Sequence, residues 1–220
     1  MSTVVITGAN RGIGLELARQ LHARNDDVIA VCRSSNENLD KVGVRVEAGV
    51  DVGDEASVQN LATRLKDVSI DILINNAGVL AVDALPSLDF AEVNRQFEIN
   101  AIGPLRVTKA LIDRLDRGSK VAIITSRMGS IADNTSGGMY GYRMSKAAVN
   151  AAGKSLANDL QPRGIAVQLL HPGFVQTDMT GGNGNITPDV SAADLIKRID
   201  ELDLAATGTF RHANGESLSW

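Results

Sequence analysis

The sequence predicts an α/β fold in which a single doubly wound parallel sheet of about seven strands carries helices on both faces. Short runs of β-branched residues alternate with helical patterns along almost the whole of the 220 residues. A chain of this length can bury one sizeable core and is too short for two ordinary domains. A glycine-rich turn directly follows the first strand, as in sheets that bind ligands beyond the carboxyl ends of their strands. We therefore predict one domain spanning residues 1–220.

Each element follows from the local pattern of residues. Runs rich in Val, Ile and Leu predict strands at residues 3–7, 28–32, 44–50, 71–75, 120–125, 165–170 and 208–211. Helical spacing of apolar residues predicts helices at residues 12–24, 54–66, 89–115, 142–160 and 191–202. The glycine-rich stretch at residues 178–190 is predicted to be a short mobile substrate loop, of the kind that often acts as a lid.

Composition excludes several classes of function. The chain has 22 basic and 26 acidic residues and a pI near 5.4, which leaves no basic surface for nucleic acid or an anionic membrane. Its one cysteine, Cys32, cannot form an internal disulfide and fits the reducing cytoplasm. We find no signal peptide, membrane span or metal-ligand cluster, so we expect no membrane association and no metal.

The first strand-to-helix turn predicts a dinucleotide site. It reads Thr7-Gly8-Ala9-Asn10-Arg11-Gly12-Ile13-Gly14. Glycines let the backbone approach a ligand closely, and the following helix offers free N–H groups and a positive dipole end to a phosphate. A glycine-rich turn can also serve only to reverse the chain, but its position here favours a Rossmann-type dinucleotide fold.

The end of the second strand indicates which dinucleotide is preferred. Sheets that prefer NAD usually place an acidic residue there to hold the ribose 2′-hydroxyl, and this edge has none. Arg33 stands there instead, and Arg11 lies in the glycine loop on the same side; both could pair with a 2′-phosphate. We predict NADP(H) over NAD(H), against the alternative of two solvated surface arginines.

Three further segments contribute candidate ligand contacts. Asp51 and Val52 end the third strand and could bracket an adenine, although an Asp there also suits a turn. The fourth strand ends in Asn75-Asn76-Ala77-Gly78, whose small residues leave room for a ligand. Pro104 lacks an N–H, so the carbonyl of Asn100 loses its helical partner and could hold an ordered water; a kink that serves only packing is the alternative.

Tyr142 and Lys146 predict acid–base chemistry. They are four residues apart on a predicted helix and therefore share a face. A cation at roughly 5 Å, with an effective dielectric near 20, contributes about 3 kcal/mol, or about two units off the phenol's pKa. Tyr140 offers a contrast, because Met144 stands four residues after it. Ser126, just past the fifth strand, opens toward the same crevice. We interpret His171, at the end of the sixth strand, as a packed histidine.

Read together, these motifs resemble the short-chain dehydrogenase/reductase family. The matching segments are TGANRGIG, NNAG, Asn100, Ser126, YRMSK and HPGFVQT, and they span nearly the whole chain in order. The stretch DNTSGGMYGYRMSKAAVN and the ending NGESLSW are similar to the short subgroup that includes C-factor-like proteins and sniffer-type carbonyl reductases.

The resemblance implies roles for particular residues. Tyr142 is then the general acid or base, Lys146 lowers its pKa and holds the nicotinamide ribose, and Ser126 polarises the substrate carbonyl. Asn100 holds, through its main-chain carbonyl, a water of a proton relay. The implied cofactor contacts are Gly8, Asn10, Arg11, Gly12, Ile13, Gly14, Arg33, Asp51, Val52, Asn76, Ala77, Gly78, Tyr142, Lys146, Pro172, Gly173, Val175 and Thr177.

One departure concerns the serine. Ser126 precedes Tyr142 by 16 residues, a few more than the family usually has, which places an insertion at residues 131–138. Ser130 is the competing choice. We favour Ser126 because Gly129 follows it as a glycine follows the serine in the family.

The sequence thus predicts an NADP(H)-dependent reductase of small aldehydes or ketones. A dinucleotide-binding regulatory protein that needs no turnover is the alternative, and an epimerase or dehydratase is less favoured because no extra acid or base stands near the motifs. Met128, Met139, Phe174 and Met179 are candidate walls of an apolar substrate pocket, although methionine also fills cores. The family resemblance also suggests a homodimer or homotetramer that pairs through the predicted helices at residues 89–115 and 142–160.

Overall fold

The predicted sheet is present in the computed structural model, which describes residues 1–220. All of its pairings are parallel, and the strand order is β3-β2-β1-β4-β5-β6-β7. The strands are β1 (Thr3–Thr7), β2 (Asp27–Val31), β3 (Arg45–Glu47), β4 (Ile70–Asn75), β5 (Leu115–Ile124), β6 (Ala166–His171) and β7 (Thr209–His212). The order reverses direction between β1 and β4, which places a ligand crevice beyond the carboxyl ends of these strands.

Seven α-helices cover the two faces of the sheet. They are α1 (Gly12–Ala23), α2 (Glu37–Asp40), α3 (Glu55–Arg64), α4 (Phe90–Phe97), α5 (Gly103–Ala110), α6 (Tyr140–Leu160) and α7 (Pro188–Glu201). The single-domain Rossmann-type fold is therefore confirmed. None of these helices combines the length and the apolar composition that a membrane crossing requires.

Two apolar layers hold the sheet between its helices. Successive residues of a strand point to opposite faces, so Leu73 of β4 joins one layer and Ile72 and Ile74 join the other. The first layer packs under α3, α5 and α6, and the second packs under α1 and α7. The sheet is buried on both faces, which explains why its central strands read as continuous apolar runs.

The prediction of one long helix at residues 89–115 is wrong, because this segment folds as two shorter helices with an irregular turn between them. A π-turn at Glu98–Ile102 separates α4 from α5, and a short 3-10 turn at Ile112–Arg114 follows. Pro104, the second residue of α5, has no N–H for the ladder, which accounts for the change of helical pitch just before it. The break lies at Asn100, one of the predicted site residues.

Strand β5 begins five residues earlier than predicted. It pairs with Ile70 through Leu115 and then with Ile72 through Lys120, so the intervening residues bulge out of the ladder. Gly118 supplies a positive φ of 95° in this bulge, and the Ser119 hydroxyl donates to the Ile70 carbonyl oxygen at 2.8 Å. The Ser119 side chain that holds this bulge lies within the bulge itself. Such a bulge has no periodic pattern of apolar residues, so the sequence does not predict it.

The glycine-rich stretch at residues 178–190 has more internal structure than the predicted mobile loop. The Gln176 N–H donates to the Ile186 carbonyl oxygen at 3.0 Å, and the Asn185 N–H donates to the Phe174 carbonyl oxygen at 2.7 Å. The Thr180 hydroxyl closes a 3-10 turn by donating to the Val175 carbonyl oxygen at 2.8 Å. Helix α7 begins at Pro188, so the last three residues of the stretch belong to that helix.

Candidate active site

A cleft of about 770 Å³ opens at the carboxyl edge of the sheet. Most of the predicted cofactor contacts line it: Gly8, Asn10, Arg11, Gly12, Ile13, Gly14, Arg33, Asp51, Val52, Asn76, Ala77, Gly78, Tyr142, Lys146, Pro172 and Thr177. Gly173 and Val175 are not among the lining residues, because they belong to the loop that leads from β6 to α7; Val175 is buried. Sequence reasoning missed a further set of lining residues, among them Cys32, Ser34, Ile124, Thr125 and Gln176.

The glycine loop is locked to the end of β4. The ideal Cβ of an alanine at position 14 would lie 2.2 Å from the Gly8 carbonyl oxygen, so only glycine fits there. The Asn76 amide donates to the carbonyl oxygens of Thr7 and Gly8 at 3.0 and 3.1 Å. Helix α1 has no side-chain cap, which leaves its first N–H groups facing the cleft. This arrangement suits a phosphate group.

The far end of the cleft carries two arginines. Arg11 and Arg33 both line it, and neither takes part in a salt bridge. Asn10 connects the glycine loop to the second strand edge, because its amide donates to the Ser34 carbonyl oxygen at 2.9 Å. The Asp51 carboxylate accepts the Gly53 N–H at 2.8 Å, which fixes the turn that follows β3.

Asn100 is buried in the π-turn, and both polar atoms of its side chain form hydrogen bonds. Its amide nitrogen donates to the Val79 carbonyl oxygen at 2.8 Å and to the Ser145 hydroxyl at 3.0 Å. Its amide oxygen accepts the Val79 N–H at 2.8 Å. The side chain therefore ties the segment after β4 to α6, and any contact with a water falls to the main-chain carbonyl.

Ser126, Tyr142 and Lys146 lie close together; Tyr142 and Lys146 line the cleft, whereas Ser126 is not among its lining residues. Their exposed fractions are 7, 8 and 5 %. The Ser126 hydroxyl accepts the Met128 N–H at 3.1 Å and lies close enough to the Tyr142 hydroxyl to influence its pKa. The Lys146 ammonium lies 5.7 Å from the centre of the Tyr142 ring. Gly129 allows α6 to approach this closely, since a Cβ there would lie 2.6 Å from the Lys146 carbonyl carbon.

Burial dominates the titration of this pair. It raises the pKa of Tyr142 to about 12, and the nearby Ser126 hydroxyl opposes only part of that rise. It lowers the pKa of Lys146 to about 8. The prediction that Lys146 lowers the pKa of Tyr142 is therefore wrong, because burial raises that pKa instead. Both groups lose their hydration on burial. The Lys146 ammonium donates at 3.0 Å to a neutral acceptor, the Ile124 carbonyl oxygen.

Ser130, the competing serine, serves a turn. Its hydroxyl donates to the Trp220 carbonyl oxygen and accepts the Asp133 N–H, both at 3.1 Å. We predicted an insertion at residues 131–138, and residues 131–137 of that stretch are exposed. The geometry therefore favours Ser126 as the partner of Tyr142.

The remaining candidates divide between packing and the cleft. His171 packs edge-on against His212 with ring centres 4.9 Å apart, and burial lowers its pKa to about 3, as expected of a packed histidine. Of the four predicted apolar walls only Met179 lines the cleft; Phe174 is 51 % exposed outside it. The structure gathers no three His, Cys, Asp or Glu side chains that could hold a metal ion.

Comparison with known proteins identifies relatives over the full chain. The short chain dehydrogenase family matches residues 2–185. The chain is 48 % identical to 1-hydroxy-2-glutathionyl-2-methyl-3-butene dehydrogenase of Rhodococcus sp. (strain AD45), covering 100 % of both chains. It is 46 % identical to the C-signal protein of Myxococcus xanthus, over 72 % of this chain and 98 % of that protein.

Solved structures agree with this assignment. The carbonyl reductase Sniffer of D. melanogaster superposes with a TM-score of 0.93 at 29 % identity, covering 100 % of both chains. An NADPH-bound carbonyl reductase from chicken fatty liver superposes with a TM-score of 0.91 at 28 % identity, covering 100 % of this chain and 99 % of the other. With its sheet order, glycine loop and buried Ser-Tyr-Lys group, the chain belongs to the short-chain dehydrogenase/reductase family.

Proposed function

We propose that this oxidoreductase-family protein reduces an aldehyde or ketone to an alcohol by hydride transfer from NADPH, with Tyr142 as the general acid. The observation that carries the proposal is the burial of Tyr142 and Lys146 in the lining of the cleft, with Ser126 buried beside Tyr142. A buried ionisable pair that serves no packing purpose is costly, and such pairs concentrate at sites of chemistry.

The cleft suits a nicotinamide dinucleotide on its own geometry. Gly8 and Gly12 adopt positive φ of 68° and 53°, and the uncapped start of α1 presents N–H groups where a diphosphate would lie. Gly78 forms part of the floor, and a Cβ there would lie 3.7 Å from the Lys146 ammonium nitrogen. Tyr142 and Lys146 stand at the end of the cleft where a nicotinamide would bind; when bound, that group supplies the hydride.

The proton then comes from the protein. With a pKa of about 12, Tyr142 is protonated at neutral pH and is in the state needed to give a proton to a carbonyl oxygen. Ser126 would donate a hydrogen bond to the same oxygen as negative charge develops on it. Lys146, whose pKa is about 8, would stabilise the tyrosinate that remains and return the proton. The Asn100 carbonyl would hold a water on that return path.

Arg11 and Arg33 support a preference for NADPH. Both guanidinium groups line the cleft and take part in no salt bridge, so they are free to meet a 2′-phosphate. The chicken carbonyl reductase that superposes on this chain is bound to NADPH. We infer that NADPH binds more tightly than NADH.

The C-signal relative favours a second candidate function. A protein of that kind could bind a dinucleotide in a regulatory role with little turnover. A regulatory protein has no need of the Tyr142 hydroxyl, so the burial of this phenol beside the Ser126 hydroxyl supports the enzymatic proposal. The Rhodococcus relative is named a dehydrogenase of a hydroxylated glutathionyl compound, which adds alcohol oxidation on a thioether substrate to the reactions to be tested.

The test is a substrate panel run in both directions. NADPH oxidation is followed with aldehydes, ketones and quinones, and NADP⁺ reduction is followed with alcohols, including a glutathionyl alcohol. Turnover of a carbonyl with NADPH, faster than with NADH, supports the proposal. Tight NADPH binding without turnover on any compound contradicts it and favours the regulatory function.

We also propose a homodimer or homotetramer in the cytoplasm. Phe90 at the start of α4 is 71 % exposed, and Met144 on α6 is 53 % exposed, so both helices present apolar side chains to a second copy. Cys32 is a free buried thiol, which fits a reducing compartment. Light scattering distinguishes the assembly from a monomer.

A further inference from the structure

Helix α6, which carries Tyr142 and Lys146, begins without a cap of its own. The residue before it, Met139, provides no side-chain hydrogen bond and adopts a left-handed φ of 54°. Gly137 and Gly138 before it also have positive φ, of 65° and 62°. A methionine held in this conformation needs support from elsewhere in the fold.

Asp83 supplies that support from 56 residues away in the sequence. Its main-chain carbonyl oxygen accepts the Met139 N–H at 3.1 Å. Its carboxylate accepts the next two N–H groups, that of Tyr140 and that of Gly141, the latter at 2.9 Å. One residue thus satisfies three successive donors at the start of α6, and its negative charge sits on the positive end of the helix dipole.

The segment that carries Asp83 is itself fixed to the π-turn region. The Gln96 amide oxygen accepts the Ala81 N–H at 3.0 Å, and the Asn100 side chain pairs with both main-chain groups of Val79. Gln96 is fully buried and Asn100 is 1 % exposed. The buried side chains of Gln96 and Asn100 therefore hold the segment that carries Asp83, and Asp83 in turn holds the first turn of α6.

From this geometry we propose that Asp83 is a positioning residue that holds the first turn of α6 so that the Tyr142 hydroxyl meets Ser126. Tyr142 follows Gly141 directly, so loosening the capped N–H groups displaces the phenol before it affects the later turns. Lys146 lies a turn further on and packs against Gly129, so its position depends less on Asp83. The inference rests on the proposed function, because its catalytic readout is turnover by Tyr142.

The test compares Asp83→Ala and Asp83→Asn with Asp54→Ala. Asp54 is a matched control because its carboxylate caps α3 by accepting the Ala56 N–H at 3.1 Å, on a helix that carries no catalytic residue. Three quantities are measured: kcat on a carbonyl substrate, KM for NADPH, and hydrogen exchange of the amides at residues 139–143.

We expect Asp83→Ala to lower kcat roughly 10- to 100-fold while KM for NADPH changes less than about twofold, because the phenol and not the cofactor cleft is displaced. Asp83→Asn keeps an amide oxygen that can accept one of the two N–H groups, so it recovers part of the lost kcat. Amide exchange at residues 139–143 should rise about tenfold in Asp83→Ala. Asp54→Ala should lower the thermal midpoint to a similar extent but leave kcat, KM for NADPH and amide exchange at residues 139–143 near their wild-type values.

Equal kcat in Asp83→Ala and Asp54→Ala, with wild-type enzyme active, overturns the inference and leaves the proposed function standing. Absence of turnover in wild type on every carbonyl instead rejects the proposed function. In that case the exchange comparison alone decides whether Asp83 holds the first turn of α6, and unchanged protection in Asp83→Ala rejects it.

Discussion

Replacing Gly129 with alanine should displace α6 and reduce catalysis. The new Cβ would lie 2.6 Å from the Lys146 carbonyl carbon, 2.7 Å from its oxygen and 2.9 Å from the Ala147 nitrogen. Ordinary carbon contacts lie near 3.5 Å, so the helix must retreat by about 0.9 Å. All three neighbours are main-chain atoms of α6, so no side-chain rotation can relieve the overlap.

The retreat moves Tyr142 and Lys146 away from Ser126. A misplacement of about 1 Å can cost on the order of 100-fold in rate, and overpacking of this kind destabilises a protein by about 1–3 kcal/mol. We therefore expect Gly129→Ala to fold with a lowered urea midpoint and to lose kcat by about two orders of magnitude.

Gly153→Ala provides the control on the same helix. Its Cβ would lie 2.8 Å from the Leu169 Cδ2 atom, which is the end of a side chain and can rotate away. This variant should lose comparable stability and keep kcat within about threefold of wild type. The reasoning is refuted if Gly129→Ala keeps wild-type kcat, or if Gly153→Ala loses as much.

Three further predictions follow from single contacts. Ser126→Ala should lower kcat about 100-fold by removing a donor to the developing oxyanion, whereas Ser130→Ala should mainly lower the thermal midpoint. Steady-state kinetics measures the first effect and calorimetry the second. A large loss of kcat in Ser130→Ala and not in Ser126→Ala would contradict the assignment. Arg33→Ala should weaken NADPH binding roughly tenfold and NADH binding little, measured by titration of nicotinamide fluorescence, and equal losses argue against a 2′-phosphate contact. His171 has a pKa of about 3 in the folded protein against 6.5 when exposed, so the unfolded chain binds the extra proton and stability falls as pH drops from 6.5 toward 3. Between pH 7 and pH 5 that loss is about 2 kcal/mol, read from urea unfolding. His171→Leu should flatten this acid limb, and an unchanged limb would assign it to other groups.

The sheet, the glycine loop and the Tyr142 helix could all be predicted because each has a local signal. Apolar runs specify strands buried on both faces, and glycine at positions such as Gly14 leaves a visible spacing. The interruption of the helix near Asn100 could be predicted only in part from the sequence. Pro104 indicates a lost hydrogen bond, but the π-turn that results depends on contacts with Val79 and Ser145, which are distant in sequence.

The titration of Tyr142 and the role of Asp83 could not be predicted for related reasons. A pairwise estimate between Tyr142 and Lys146 gives the attraction and omits the loss of water that both groups suffer when buried. Asp83 lies in an irregular stretch and contacts α6 across 56 to 58 residues. An aspartate in such a stretch is typical of any turn, so only the folded chain distinguishes it.

The most direct test of the account compares Tyr142→Phe with Tyr140→Phe. Both variants remove one phenol hydroxyl from the first turn of α6, but only Tyr142 has Ser126 as a partner and Lys146 one turn later. The account predicts that Tyr142→Phe loses at least about 100-fold in kcat, with NADPH affinity within about twofold of wild type, and that Tyr140→Phe retains activity. Wild-type turnover in Tyr142→Phe, or equal losses in the two variants, would contradict it.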